Sequence, residues 1–127
     1  MEEKILSSFN AQNIMDQSNW NFRRTWKGSV DVSVWLKAKM QKNARIYLVL
    51  QYKDKETKRA IPIDRCLGGA TESVLLNGRV NIAGNGLLEQ FVLKVKYEGC
   101  IGSVAVEELT VTFPNTNNAI RTMKLAV

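Results

Sequence analysis

Residues 29–39, SVDVSVWLKAK, alternate apolar and polar side chains almost without a break. Successive side chains of a pleated strand point to opposite faces, so Val30, Val32, Val34 and Leu36 share one face and Ser29, Asp31, Ser33, Trp35 and Lys37 the other. The first is a core face. The second is polar except for Trp35, whose neighbours on that face of the strand are Asp31, Ser33 and Lys37. Segments rich in β-branched and aromatic residues recur at 44–53 (ARIYLVLQYK), 89–98 (EQFVLKVKYE) and 104–113 (VAVEELTVTF). Turn signals separate them: Lys27-Gly28, Lys42-Asn43, the charged run Asp54 to Lys58, Gly68-Gly69, Asn77-Gly78, Gly84 to Gly86, Gly99 to Gly102, and 114–118. Asn77-Gly78 lies between apolar runs, the pattern of a tight hairpin with a strand on either side.

Within 104–113 the apolar set changes phase. Val104 and Val106 share one parity, Leu109, Val111 and Phe113 the other. Either a bulge at Glu107-Glu108 brings both sets to one face, or the strand is buried on different faces at its two ends. The last residues, AIRTMKLAV, suit one more strand, and 1–18 (including EKILSSF and AQNIMDQ) a short helix or a flap. This spacing predicts a single all-β domain over 1–127, an antiparallel β-sandwich of the jelly-roll kind. It should have about seven to nine strands and at most one short helix. Val30, Val32, Val34, Leu36, Ile46, Leu48, Leu50, Val95 and Val111 are its expected core.

Composition narrows the chemistry more than it names it. The chain holds no histidine, which removes histidine-based nucleophilic triads and the commonest metal ligand. Its two cysteines, Cys66 and Cys100, belong to no metal-binding or redox motif and are expected to be free thiols. Only Arg65 stands beside either of them as an activating cation. Asp31, Asp64, Glu98, Glu107 and Glu108 could supply the two acids of a glycosidase, but their spacing in space is not written in the sequence. The glycine-rich stretches lack a phosphate-binding lysine and serine and read as turns. A non-enzyme without cofactor or metal is the expectation. The start MEEKILSSFNAQN has no export signal and no stretch is long enough to span a membrane, so a cytoplasmic, non-membrane protein is expected.

Net charge is +6, which favours acidic partners without specifying one. The basic runs 37–45 (KAKMQKNAR) and 53–59 (KDKETKR) read as solvated loops. Interleaving of basic and aromatic residues, as a nucleic-acid groove needs, occurs only where Arg23, Arg24 and Lys27 accompany the aromatics of NWNFRRTW. Nucleic acid is therefore an unlikely partner at this level of reading. In that same segment an extended chain puts Trp20, Phe22, Arg24 and Trp26 on one side. The stripe is either core, with Arg24 reaching to water, or an extension of the surface marked by Trp35.

The succession GSVDVSVWLKA, ARIYLVLQY, LLNGRVNI, FVLKVKYEG and GSVAVEELTVTF resembles the jelly-roll carbohydrate-binding modules that accompany xylanases and glucanases, within the galactose-binding-like class. The resemblance spans 26–113 and rests on Val34 to Ala38 after a glycine, Tyr97 to Gly99 at a strand end, and Glu107-Glu108 before the last long strand. It implies reversible, non-catalytic sugar binding on a sheet face, with Trp35, Asp31, Ser33 and Lys37 as the candidate patch and Trp20 and Trp26 as extensions. Members of that family commonly hold a structural calcium ion, for which no ligands are assigned in this chain. The alternative is a protein-interaction or assembly subunit, of a virion or secretion machine, that uses the same aromatic surface and forms a homo-oligomer.

Overall fold

A computed structural model describes residues 1–18, 20–55, 57–68, 72–114 and 120–126, with the side chains of 17 and 120–126 left undescribed. The described residues are all-β, with one antiparallel sheet and one short helix. In chain order they form β1 (Glu2–Phe9), α1 (Ala11–Gln17), β2 (Thr25–Lys53), β3 (Lys58–Leu67), β4 (Ser73–Asn85), β5 (Gln90–Pro114) and β6 (Ile120–Ala126).

Two very long strands organise the sheet. The first half of β2 lies between β4 and the second half of β5, which carries β6 on its other edge. The second half of β2 lies between β3 and the first half of β5, which carries β1. Straight, the 29 residues of β2 would span roughly 90 Å. Yet Trp26 near its start and Tyr52 near its end have ring centroids 6.1 Å apart, so β2 doubles back on itself. Phe91 and Phe113, near the two ends of β5, are likewise 6.0 Å apart. The corner falls where the β2–β5 register slips, between Lys37 and Arg45. Gly99 and Gly102 turn β5 there with φ of 75° and 74°, and a Cβ on Gly99 would stand 2.9 Å from the Cα of Ala44.

The described residues form six strands where the turn spacing suggested seven to nine, because several turn signals are not turns. Lys27-Gly28 lies inside β2, Lys42-Asn43 at its corner, and Asn77-Gly78 in the middle of β4. Gly78 is not among the glycines with positive φ, so it supplies no hairpin. Its missing Cβ serves a close approach: a Cβ there would lie 2.9 Å from Ile63 Cγ2 and 3.0 Å from the Ile63 carbonyl oxygen on β3. The segment 2–9 is a strand rather than a helix, since β5 offers it a hydrogen-bonding edge. AQNIMDQ is the helix; Asn10 caps it by accepting from the N–H of Asn13, and Asn13 returns the bond to the N–H of Asn10. The turn signal at 115–118 lies outside the described residues.

Of the two readings of 104–113, the structure has the bulge. Trp35 pairs with Glu108 and Leu36 with Val106, leaving Glu107 without an opposite residue. As a result Val104, Val106, Leu109, Val111 and Phe113 are all buried on one face, despite their change of parity. The residues expected in the core, Val30, Val32, Val34, Leu36, Ile46, Leu48, Leu50, Val95 and Val111, are buried as well. Among the described residues the one buried charged side chain is Asp54, 2% exposed, at the β2–β3 turn. Its carboxylate accepts from the N–H of Thr57 at 2.8 Å, from the N–H of Asn85 at 3.0 Å and from Arg59 Nη1 at 3.3 Å, tying the turn to the end of β4.

Candidate functional site

On the first half of β2 the even positions are buried, so the odd ones form the outer face. Register assembles that face from three strands. Asp31 is opposite Arg79 of β4 and Thr112 of β5, Ser33 opposite Asn77 and Thr110, and Trp35 opposite Leu75 and Glu108. Trp35 is 43% exposed and Leu75 is 41% exposed, an apolar pair in an otherwise polar field. Beside the pair a shallow hollow of ≈ 380 Å³ is lined by Asp31, Ser33, Asn77, Gly78, Thr110 and Thr112. Lys37, also exposed, lies on the far side of Trp35 from the hollow.

The chief charged feature of the hollow is a fork. Arg79 donates from Nε to Asp31 Oδ1 at 2.6 Å and from Nη2 to Asp31 Oδ2 at 2.8 Å. Bidentate pairing fixes the plane of both groups and leaves each with hydrogen-bonding capacity directed outward. The Asp31 carboxylate, by hydrogen bond and by charge, holds the Arg79 guanidinium above its ordinary range. Farther along, Ser29 Oγ meets Asn81 Oδ1 at 2.7 Å. Such a face can stack a flat apolar surface on indole and satisfy hydroxyl groups from amide, hydroxyl and carboxylate neighbours.

Trp20 and Trp26 do not extend it. They are 7% and 5% exposed and belong to the core, on the opposite side of β2 from Trp35. Their rings stack at 5.6 Å with an interplanar angle of 18°, and Phe22 and Phe113 pack edge-on against them. Two glycines make the room. A Cβ on Gly28 would stand 2.0 Å from Trp20 Cε2, and one on Gly84 2.4 Å from Trp26 Cζ2. Trp26 Nε1 donates to the Gly86 carbonyl oxygen at 2.9 Å, so its one polar atom is satisfied indoors. Arg24, between them in sequence, is exposed.

Thus Asp31, Ser33, Trp35 and Lys37 share one surface, and Trp20 and Trp26 are elsewhere. Arg79, Asn77, Leu75, Thr110 and Thr112 join that surface and were not anticipated. Reading 73–80 as one strand would have found the first three, since Leu75, Asn77 and Arg79 alternate with Val74, Leu76 and Val80. Both cysteines are free and half-buried. Burial first, then the negative charges of Glu2 and Cys66, pushes the Cys100 thiol up, away from the reactive thiolate form. Among the described residues no cluster of three histidine, cysteine or carboxylate side chains could hold a metal ion, and no helix is long and apolar enough to cross a membrane. No family model and no curated protein matches this chain.

Proposed function

We propose that this protein is a non-catalytic binding module whose Trp35 face takes a carbohydrate-like ligand. One juxtaposition carries the reading: a half-exposed indole on the same strand face as a hollow lined by Asp31, Ser33, Asn77, Thr110 and Thr112. A sugar ring presents a weakly positive C–H face to an aromatic ring and hydroxyls around its edge, and this surface is complementary to both. With Asp31 neutralised by Arg79 the hollow suits an uncharged sugar better than an acidic one. In this reading the folded sheet is a jelly-roll-like sandwich. The ring contacts that bring the ends of β2, and of β5, together support that arrangement.

Calorimetric titration with a panel of neutral oligosaccharides tests it. At least one should bind, and Trp35→Ala should abolish the heat while leaving the melting temperature within a few degrees. Exposed Leu75 beside Trp35 favours a second reading, in which the same patch is a contact for another protein or another copy of this chain. If no saccharide binds but the protein is oligomeric by light scattering and Trp35→Ala makes it monomeric, that second reading stands instead.

A further inference from the structure

Past the corner, β2 turns Ile46, Leu48 and Leu50 inward and presents Arg45 and Tyr47 on the face away from the core. Register sets Arg65 of β3 against Tyr47 on one side and Lys96 of β5 on the other. Half-buried Tyr47 therefore has cations on three sides, with Arg45 its neighbour along the same strand face. Two hollows open beside it. One, of ≈ 670 Å³, reaches Lys42, Arg45 and Leu67; the other, of ≈ 480 Å³, reaches Pro62, Ile63 and Asp64. Tyr47 and Arg65 line both, so the two hollows adjoin as a groove that shares this pair.

The charges divide into engaged and available. Arg45 is held by Glu98 at 3.0 Å and Lys96 by Glu3 at 3.6 Å. Asp64 accepts the N–H of Arg65 at 2.8 Å and the N–H of Asn77 at 2.9 Å, which turns it toward β4. Among the described residues no acid lies within ion-pair distance of Arg65 or Lys42, and both are exposed. The run 37–45 is strand and not solvated loop, since it lies within β2, and β3 brings Arg65 against Tyr47.

We propose that this groove binds single-stranded nucleic acid, with a base stacked on Tyr47 and backbone phosphates held by Arg65 and Lys42. Sequence-tolerant recognition of single strands combines these parts, an aromatic platform within a cationic groove. A duplex would hide its base faces from such a ring, and a simple polyanion would use the cations and ignore it. The chain's excess of positive charge brings such a ligand in from a distance. The proposal is independent of the Trp35 reading, which concerns the other half of the sheet.

Fluorescence anisotropy with the whole chain and a labelled oligothymidylate of about twelve nucleotides, at about 50 and 200 mM salt, decides it. Wild type should bind at the lower salt, Tyr47→Ala should bind about tenfold or more weakly, and Tyr47→Phe should bind like wild type. Arg65→Gln should weaken binding and lower the slope of log affinity against log salt by about 0.7. Trp35→Ala should bind like wild type. If Tyr47→Ala does not fold, Tyr47→Leu takes its place. Absence of binding at the lower salt overturns the proposal. So does a folded Tyr47 variant that binds as tightly as wild type, or equal displacement by a polyuronate, since either would make the groove a mere cation cluster.

Discussion

Deleting Glu107 removes the residue of β5 that β2 leaves unpaired. Val106 and Leu109 then stand two residues apart, so Val104, Val106, Leu109, Val111 and Phe113 alternate regularly on one face, and the pairs Leu36–Val106 and Trp35–Glu108 persist without a bulge. No buried side chain has to leave the core, and the expected change in stability is no more than about 1 kcal/mol. If the bulge were not what brings the two sets onto one face, the deletion would turn one set outward. The shorter set, Val104 and Val106, would then cost about 3–6 kcal/mol at 1.5–3 kcal/mol each. That is a large share of the 5–15 kcal/mol that holds an ordinary domain together. Guanidinium unfolding followed by the fluorescence of buried Trp20 and Trp26 measures the difference. Glu107→Ala, which removes an exposed side chain and keeps the bulge, should change stability by no more than about 0.5 kcal/mol. A deletion variant destabilised by about 3 kcal/mol or more would refute the idea that this bulge sets the core face of β5.

Gly28→Ala should cost about 1–3 kcal/mol, because its Cβ displaces the buried Trp20 ring, and should erase the near-ultraviolet circular dichroism of the Trp20–Trp26 stack. An unchanged spectrum would show that the indole has room to spare. Glu3 is held below the usual carboxylate range by its hydrogen bond to Lys94, then by the charges of Lys94 and Lys96. Because the folded value is depressed, its contribution to β1–β5 pairing is present above the ordinary carboxylate pKa and lost as pH falls through the depressed one. Carboxyl-carbon resonances should accordingly show Glu3 titrating below the ordinary glutamate range, and Lys94→Met should move it back up; an ordinary value in wild type would contradict the contact. Cys100, raised by burial and then by Glu2 and Cys66, should alkylate slowly at pH 8 in the native protein and faster after Glu2→Gln. Equal rates in native and denatured protein would count against that burial.

Local patterns were legible wherever the information was local. The alternation around Val32 located β2 and its dry face, whereas the parity change at Glu107 left a bulge and burial on two faces as alternatives, between which only the β2–β5 register decides. Asn77-Gly78 misled for the same reason: a dipeptide can say that left-handed turn residues are present, but not that Gly78 is small because Ile63 of another strand runs against it. The burial of Trp20 and Trp26 depends on room left at Gly28 and Gly84, the second of them on a different strand. The two surfaces were legible only by halves. Trp35, Asp31 and Ser33 share a face by parity alone, whereas Arg79, Asn77 and Thr110 reach it by cross-strand register, as Arg65 and Lys96 reach Tyr47. A sequence read along one strand carries no register to the next.

If Trp35 is the residue that meets the ligand, the indole N–H resonances of the three tryptophans report it directly. Trp35 stands at the surface while Trp20 and Trp26 are sealed in the core. Titrating the labelled protein with neutral oligosaccharides should shift the Trp35 indole resonance progressively and to saturation, together with the backbone amides of Ser33 and Asn77, and leave the other two indoles in place. A panel in which no saccharide moves the Trp35 resonance, at concentrations that saturate weak sugar sites, would contradict the account.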